Sequence, residues 1–255
     1  MKFAKVMPGK PETGYCEIHG QFEFRYNELL GKICVMDNCV KCAEIAEAER
    51  VKKETAEAQA LKDKRIADKK QLCGISHRHM SCTFENYKAE TKEQKSALIQ
   101  VSEYFSNVIN GAPSCLVLAG SVGTGKTHLA CAGANMFVDA GISCMVIKMA
   151  ELIRNIKDTW RKDSEISETK VIAKLSGVKL LVIDEIGIQF GSDTEKLLIS
   201  EIIDNRYQAM LPTVMISNLD LNGIKACIGD RSYDRLREDG GKVVAFNWDS
   251  HRGAK

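Results

Sequence analysis

Gly120-Ser121-Val122-Gly123-Thr124-Gly125-Lys126-Thr127 is the stretch on which the reading of this chain turns. It matches G-x-x-x-x-G-K-[ST]. A short apolar run, Cys115 to Ala119, precedes it, and a helical pattern from about Lys126 to Ala140 follows. Strand, glycine loop and helix in that order make a phosphate-binding loop, and a chance glycine turn would not bring those flanks with it. The glycines let backbone N–H groups turn toward an anion without side-chain obstruction, and the helix N-terminus adds the positive end of its dipole. Lys126 is placed to reach the β- and γ-phosphates of ATP, and the Thr127 hydroxyl to ligate Mg²⁺.

Downstream, Leu180-Leu181-Val182-Ile183-Asp184-Glu185 is four apolar residues ending in two carboxylates. A buried strand delivers such acids to the carboxyl edge of a parallel sheet, beside the phosphates. Asp184 is then expected to hold Mg²⁺, and Glu185 to orient and polarise the attacking water. Two adjacent acids also occur in surface turns; the phosphate loop upstream favours the functional assignment.

Between and around these motifs, helical and strand patterns alternate. Thr91 with Gln94 fits a capping box. Ala97, Leu98, Val101, Tyr104, Phe105 and Val108 follow at helical spacing. Strands are expected at Ile142 to Lys148, Lys179 to Ile183, Thr213 to Ser217 and Lys242 to Phe246. Helices are expected at Ala150 to Arg161, Glu168 to Leu175, Asp193 to Met210 and Leu221 to Ile228, with a short Asp-Arg turn between the last helix and the last strand. Such alternation means a parallel sheet covered by helices on both faces, an α/β three-layer core over residues 73–255.

The first 72 residues are different in kind. Cys16-x-x-His19 and Cys39-x-x-Cys42 are two ligand pairs separated by a strand-like alternation of Phe22, Phe24 and Tyr26. Zinc takes four tetrahedral N/S ligands, and paired knuckles supply them. Cys34 is a spare thiol that could replace His19. A segment of some forty residues hardly folds without a metal or another staple, so residues 1–43 read as a small zinc ribbon holding Zn²⁺. Residues 44–72 are almost wholly Ala, Glu, Lys, Arg and Asp, with no proline and no glycine. They read as a solvated helical linker, with partner binding as the alternative.

The whole chain has 255 residues, 36 basic and 34 acidic, for a net charge of +2. Any surface for nucleic acid must therefore be local. No apolar run reaches the roughly 18 residues that a membrane span requires. Met1 to Pro11 has lysines but no apolar signal-peptide core. Ten cysteines without a secretory signal are expected reduced or metal-bound, and a cytoplasmic location follows.

Taken together, Gly120 to His128, Leu181 to Gly187, Ser217-Asn218, Arg231 to Arg237 and Phe246-Asn247-Trp248-Asp249-Ser250 resemble the AAA+ ATPases, and among them the DnaC-like helicase loaders, with the IstB-like transposition ATPases as near relatives. The resemblance covers about residues 73–252. It implies an AAA+ core and adds His128 to the nucleotide-binding residues. It makes Asn218, just beyond a central strand, the polar sensor of the γ-phosphate. Arg231 becomes an arginine finger acting on a neighbouring subunit's ATP. Arg235 becomes a second sensor, with Arg237 as its rival; too little chain follows the last strand for a full helical lid, which weighs against that role. The resemblance also places Arg154, Lys157 and Arg161, on the face opposite Leu152, Ile156 and Trp160, along a single-stranded DNA channel; a solvated helix face is the competing account. Phe84 and Tyr87 are expected to pack, or alternatively to border the adenine.

The resemblance implies an ATPase that binds a DnaB-like replicative helicase through its N-terminal region, self-associates through the ATPase domain, places the helicase on single-stranded DNA and hydrolyses ATP to time release. A transposition-helper ATPase and a zinc-dependent adaptor with a nucleotide switch are the alternatives.

Overall fold

A computed structural model describes residues 13–23, 25–29, 32–36, 39–187 and 192–251. Met1 to Pro11 and Phe24 lie outside them, and of residues 25–29 and 32–36 only the backbone is described. The chain divides into two compact units, and the division falls at Lys64/Arg65.

In the first unit, β1 (Thr13–Cys16) pairs antiparallel with β2 (Gly20–Glu23), and β3 (Arg25–Leu29) with β4 (Lys32–Met36). The single alternating strand expected through Phe22 and Tyr26 is thus divided between two hairpins. α1 (Val40–Leu72) begins just after Cys39 and runs across the unit boundary. It buries no residue along its length, as a run of charged helix formers without an apolar stripe should not.

The second unit contains α2 (Lys92–Ile109), β5 (Leu116–Gly120), α3 (Lys126–Asp139), β6 (Cys144–Lys148), α4 (Met149–Asp158), α5 (Glu168–Gly177), β7 (Leu180–Ile186), α6 (Asp193–Gln208), β8 (Thr213–Ser217), α7 (Leu221–Ile228), α8 (Asp230–Arg237) and β9 (Lys242–Phe246). The five strands β5 to β9 form a parallel sheet in the order β6-β7-β8-β5-β9. Thr91 caps α2 with the full reciprocal box to Gln94.

The sheet is apolar on both faces. Leu116 and Leu118 of β5, with Leu180 and Val182 of β7, pack toward α2 and α3 against Tyr104, Phe105, Leu129 and Phe137. Val117 and Ala119, with Leu181 and Ile183, pack toward α4 to α8 against Leu152, Ile156, Ile199, Ile202 and Ile224. Period-two alternation feeding two cores is what a buried parallel strand requires. Arg206 is fully buried. It donates to the carbonyls of Leu175, Ser176, Val178 and Pro212 and to Thr213 Oγ1, so it closes the C-terminal end of α5 onto the start of β8. No helix among the described residues is long and apolar enough to cross a membrane.

Three local expectations are corrected. The Asp-Arg stretch is helix α8, not a turn: Ser232, Tyr233 and Leu236 are buried on one face, a stripe masked by the charges around it. α4 stops at Asp158, where Thr159 Oγ1 donates back to Ile156 O. Trp160 consequently leaves the apolar face, half exposed, with its indole N–H on Glu168. β7 continues past Ile183 to Ile186 through a register shift against β8.

Candidate nucleotide and metal sites

The carboxyl edge of the sheet gathers the loops that follow β5, β7 and β8, as an open parallel sheet does. A cleft of about 520 Å³ opens there, lined by Val122 to His128, Asp184, Glu185, Ser217 and Asn218. The phosphate loop, the strand-end acids and Asn218, far apart in sequence, therefore share one cavity.

The loop's shape depends on two close approaches. Gly120 has φ 136°, and a Cβ there would lie 2.3 Å from Phe246 O. Gly125 has φ 93°, and its Cβ would lie 2.5 Å from the Tyr87 ring. Only glycine tolerates both the dihedral and the crowding. Lys126 opens α3 and is 5% exposed. Its Nζ donates to Gly120 O at 2.7 Å and Ser121 O at 2.6 Å, which places the ammonium inside the loop.

Thr127 Oγ1 donates to Asp184 Oδ2 at 3.0 Å, and the Glu185 N–H donates to Asp184 Oδ1 at 2.7 Å. Burial raises the Asp184 carboxyl above the usual aspartate range, and the two hydrogen bonds oppose that shift. A hydroxyl and a carboxylate in contact across the cleft are the oxygen donors that Mg²⁺ prefers. Glu185 sits at φ 58°, a left-handed conformation that costs a non-glycine residue on the order of 1 kcal/mol. Its carboxylate meets Lys148 Nζ at 2.8 Å. Lys148 ends β6 in register with Asp184, and nothing in its own sequence surroundings marked it. Its ammonium is held above the usual lysine range by that hydrogen bond.

Tyr87 also lines the cleft, with its hydroxyl on Thr124 O, while Phe84 packs against Phe105. His128 Nε2 lies 3.1 Å from Thr83 O, and its ring meets Tyr87 edge-on.

The arginines expected as finger and sensor stand elsewhere. Arg235 contacts Asp204 and lies over the Tyr207 ring, and it does not line the cleft. Arg237 lies over Tyr233. Arg231 is 74% exposed at the start of α8, with Asp204 at 3.7 Å. On α4, Lys157 is paired with Glu195 at 2.8 Å, and beyond its end Arg161 is paired with Asp158 at 3.4 Å. Arg154 is exposed on the same helix.

In the first unit, Cys16, His19, Cys39 and Cys42 bring one ligand atom each within 4.8 Å of one another. Cys16 Sγ and Cys42 Sγ are 3.5 Å apart. His19 Nδ1 lies 3.8 Å from Cys16, 3.6 Å from Cys39 and 3.2 Å from Cys42. Tetrahedral zinc with its usual bond lengths spaces S···S by about 3.8 Å and S···N by about 3.5 Å, so the donor set fits. The backbone N–H groups of His19 and Ile18 lower the Cys16 thiol to about 6, while the hydrogen bond with Cys16 raises Cys42 to about 11, so without a cation a thiolate is favoured, of these two, at Cys16 only. Cys34 belongs to β4 opposite Asn27, and its side chain lies outside the described residues.

Residues 40–252 match the family described as IstB-like ATP binding protein. The replicative helicase loader DnaC of Buchnera aphidicola subsp. Baizongia pistaciae is 39% identical over 194 residues, 76% of this chain and 77% of that protein. The DnaC loader of Escherichia coli K12 is 39% identical over 179 residues, 70% of this chain and 72% of that protein. The crystal structure of the DnaC helicase loader superposes with a TM-score of 0.59 at 23% identity, covering 67% of this chain and 99% of that one.

Proposed function

The chain belongs to the IstB-like ATP-binding family, in the company of the DnaC replicative helicase loaders, and on that premise we propose that it is an ATP-hydrolysing helicase loader. The observation that carries the enzymatic part is the single cleft holding Lys126, Thr127, Asp184, Glu185 and Asn218. Lys126 and the loop N–H groups grip the phosphates. Thr127 and Asp184 hold Mg²⁺, which when bound neutralises charge developing on the phosphates. Glu185 orients and deprotonates water, and Asn218 reports on the γ-phosphate. Arg231, outside its own cleft and mostly exposed, is available to a neighbouring subunit's nucleotide. Arg235 is held by Asp204 and Tyr207, which favours a structural role over a sensor.

The zinc-binding unit, with Zn²⁺ held by Cys16, His19, Cys39 and Cys42, is proposed to engage the helicase. Single-stranded DNA is proposed to track along Arg154, with Lys157 and Arg161 released from their acids when DNA binds. Self-association through the ATPase core and a cytoplasmic location complete the proposal. Pull-down of a replicative hexameric helicase by the full chain, with and without ATP, tests it. Nucleotide-dependent capture supports loading. ATP turnover and DNA-dependent assembly with no helicase capture would favour the transposition-helper activity, a role compatible with the family match itself.

A further inference from the structure

The backbone carbonyls of the phosphate loop are held by residues for which the proposed chemistry has no use. Ser121 N–H donates to Phe246 O at 3.0 Å. Past the end of β9 the chain keeps to the loop: the Trp248 indole N–H donates to Thr124 O at 3.1 Å, and the His251 N–H donates to Gly123 O at 2.9 Å. From the opposite side, the segment before α2 brings the Tyr87 hydroxyl to the same Thr124 O at 3.0 Å. Thr124 is fully buried, so its carbonyl has two protein donors from segments about 160 residues apart. Trp248 is fixed in turn by its ring contact with Phe246, and Tyr87 by ring contacts with His128 and His251.

We propose that Trp248 and Tyr87 are positioning residues for the phosphates of the nucleotide, acting together through the Thr124 carbonyl. It rests on the nucleotide site proposed above. In a trans peptide the N–H points opposite to the C=O. Pinning Thr124 O to Trp248 and Tyr87 therefore pins the Gly125 N–H in the opposite direction, away from those donors, where it is free to meet an anion in the nest of loop N–H groups. The His251 N–H on Gly123 O does the same for the Thr124 N–H. Hydrogen bonds accepted by these carbonyls also polarise the N–H groups at the other end of each peptide. A loop rich in glycine has many alternative conformations. Without the two donors, Thr124 O would turn to water, and nucleotide binding would have to reverse that rotation. The segment Phe246 to His251 thus preorganises the nucleotide site from within the same chain.

The test is a double-mutant cycle on the full chain, with the Kd for ATP measured by calorimetry and the thermal midpoint measured without nucleotide. Tyr87→Phe and Trp248→Phe each remove one donor and keep a ring. Either alone leaves Thr124 O with one protein partner, so each should weaken ATP binding only about 3-fold. Together they leave a buried acceptor unpaired, and the loss should reach about 30-fold, more than the product of the singles. Midpoints of the single variants should stay within about 2 °C of wild type. Singles and double all within about 2-fold of wild type, or a double equal to the product of the singles, would overturn the shared-acceptor role. Should the double variant fail to fold, Trp248→Phe alone decides: weaker binding at an unchanged midpoint supports the role, and unchanged binding overturns it. Lys126→Ala is the control. A wild-type chain that binds no ATP, or a Lys126→Ala variant that equals wild type in both ATP binding and turnover, overturns the nucleotide site itself along with the proposal.

Discussion

Lys148 Nζ and Glu185 Oε1 are 2.8 Å apart across the ends of adjacent strands β6 and β7. The ion pair occupies the carboxylate proposed to activate water, in a residue whose backbone is already left-handed at φ 58°. Both side chains are more than half exposed, so the pair contributes little to stability. Its effect is on where the carboxylate points.

Lys148→Ala should therefore raise basal ATP turnover. An exposed pair of this kind contributes about 0.2–1 kcal/mol, so a rise of roughly 1.4- to 5-fold is expected, with ATP affinity nearly unchanged. Steady-state ATPase kinetics read both quantities. A fall in kcat would mean that Lys148 aims Glu185 productively rather than holding it aside.

Lys126→Ala should abolish ATP binding or hydrolysis and leave the fold intact. The ammonium lies inside the loop, on two carbonyls, and its loss removes the only cation the loop itself carries. Turnover equal to wild type, with far-UV circular dichroism unchanged, would remove the phosphate-loop assignment.

One zinc per chain is expected by metal analysis, and replacing Cys39 and Cys42 together should abolish it. Because a structural metal supplies folding free energy, chelation should unfold the segment holding β1 to β4 and leave the ATPase unit folded. A metal-free protein whose N-terminal hairpins still give dispersed NMR signals would refute the site.

Arg231→Ala and Lys126→Ala should each be nearly inactive alone and partly active when mixed. At some mixed interfaces the first variant provides an intact phosphate loop and the second an intact finger. Fingers supplied in trans contribute on the order of 10³ in rate in well-studied nucleotidases, and a slow switch ATPase should show less. Single-stranded DNA should raise the recovered activity by promoting assembly. No recovery at any ratio, with mixed assembly shown independently, would assign Arg231 to its own subunit or to structure alone.

The sequence by itself determined the architecture and the place of the phosphate loop within it. Gly120 to Thr127 carries its pattern and its flanks locally, and the apolar run ending in Asp184-Glu185 specifies a buried strand with acids at its tip. Strand β8 and helix α7 fall on the residues their patterns indicated, because apolar periodicity is a property of neighbours in sequence. The four residues of the candidate metal cluster were legible for the same reason: the two members of each pair lie three positions apart in sequence.

What tertiary structure alone decided is the contacts between distant segments that no motif announces. Lys148 meets Glu185 because β6 lies beside β7 in one particular register. Arg235 turns to Asp204 and Tyr207 because α8 is a helix packed on α6, its buried face masked in sequence by arginines and aspartates. Trp248 and Tyr87 converge on Thr124 O because β9 lies beside β5 and the chain before α2 folds back over the loop. A backbone carbonyl has no signature in sequence. The donors that satisfy it are chosen by which segments the fold brings within 3 Å or so, and that choice is made only when the sheet is assembled.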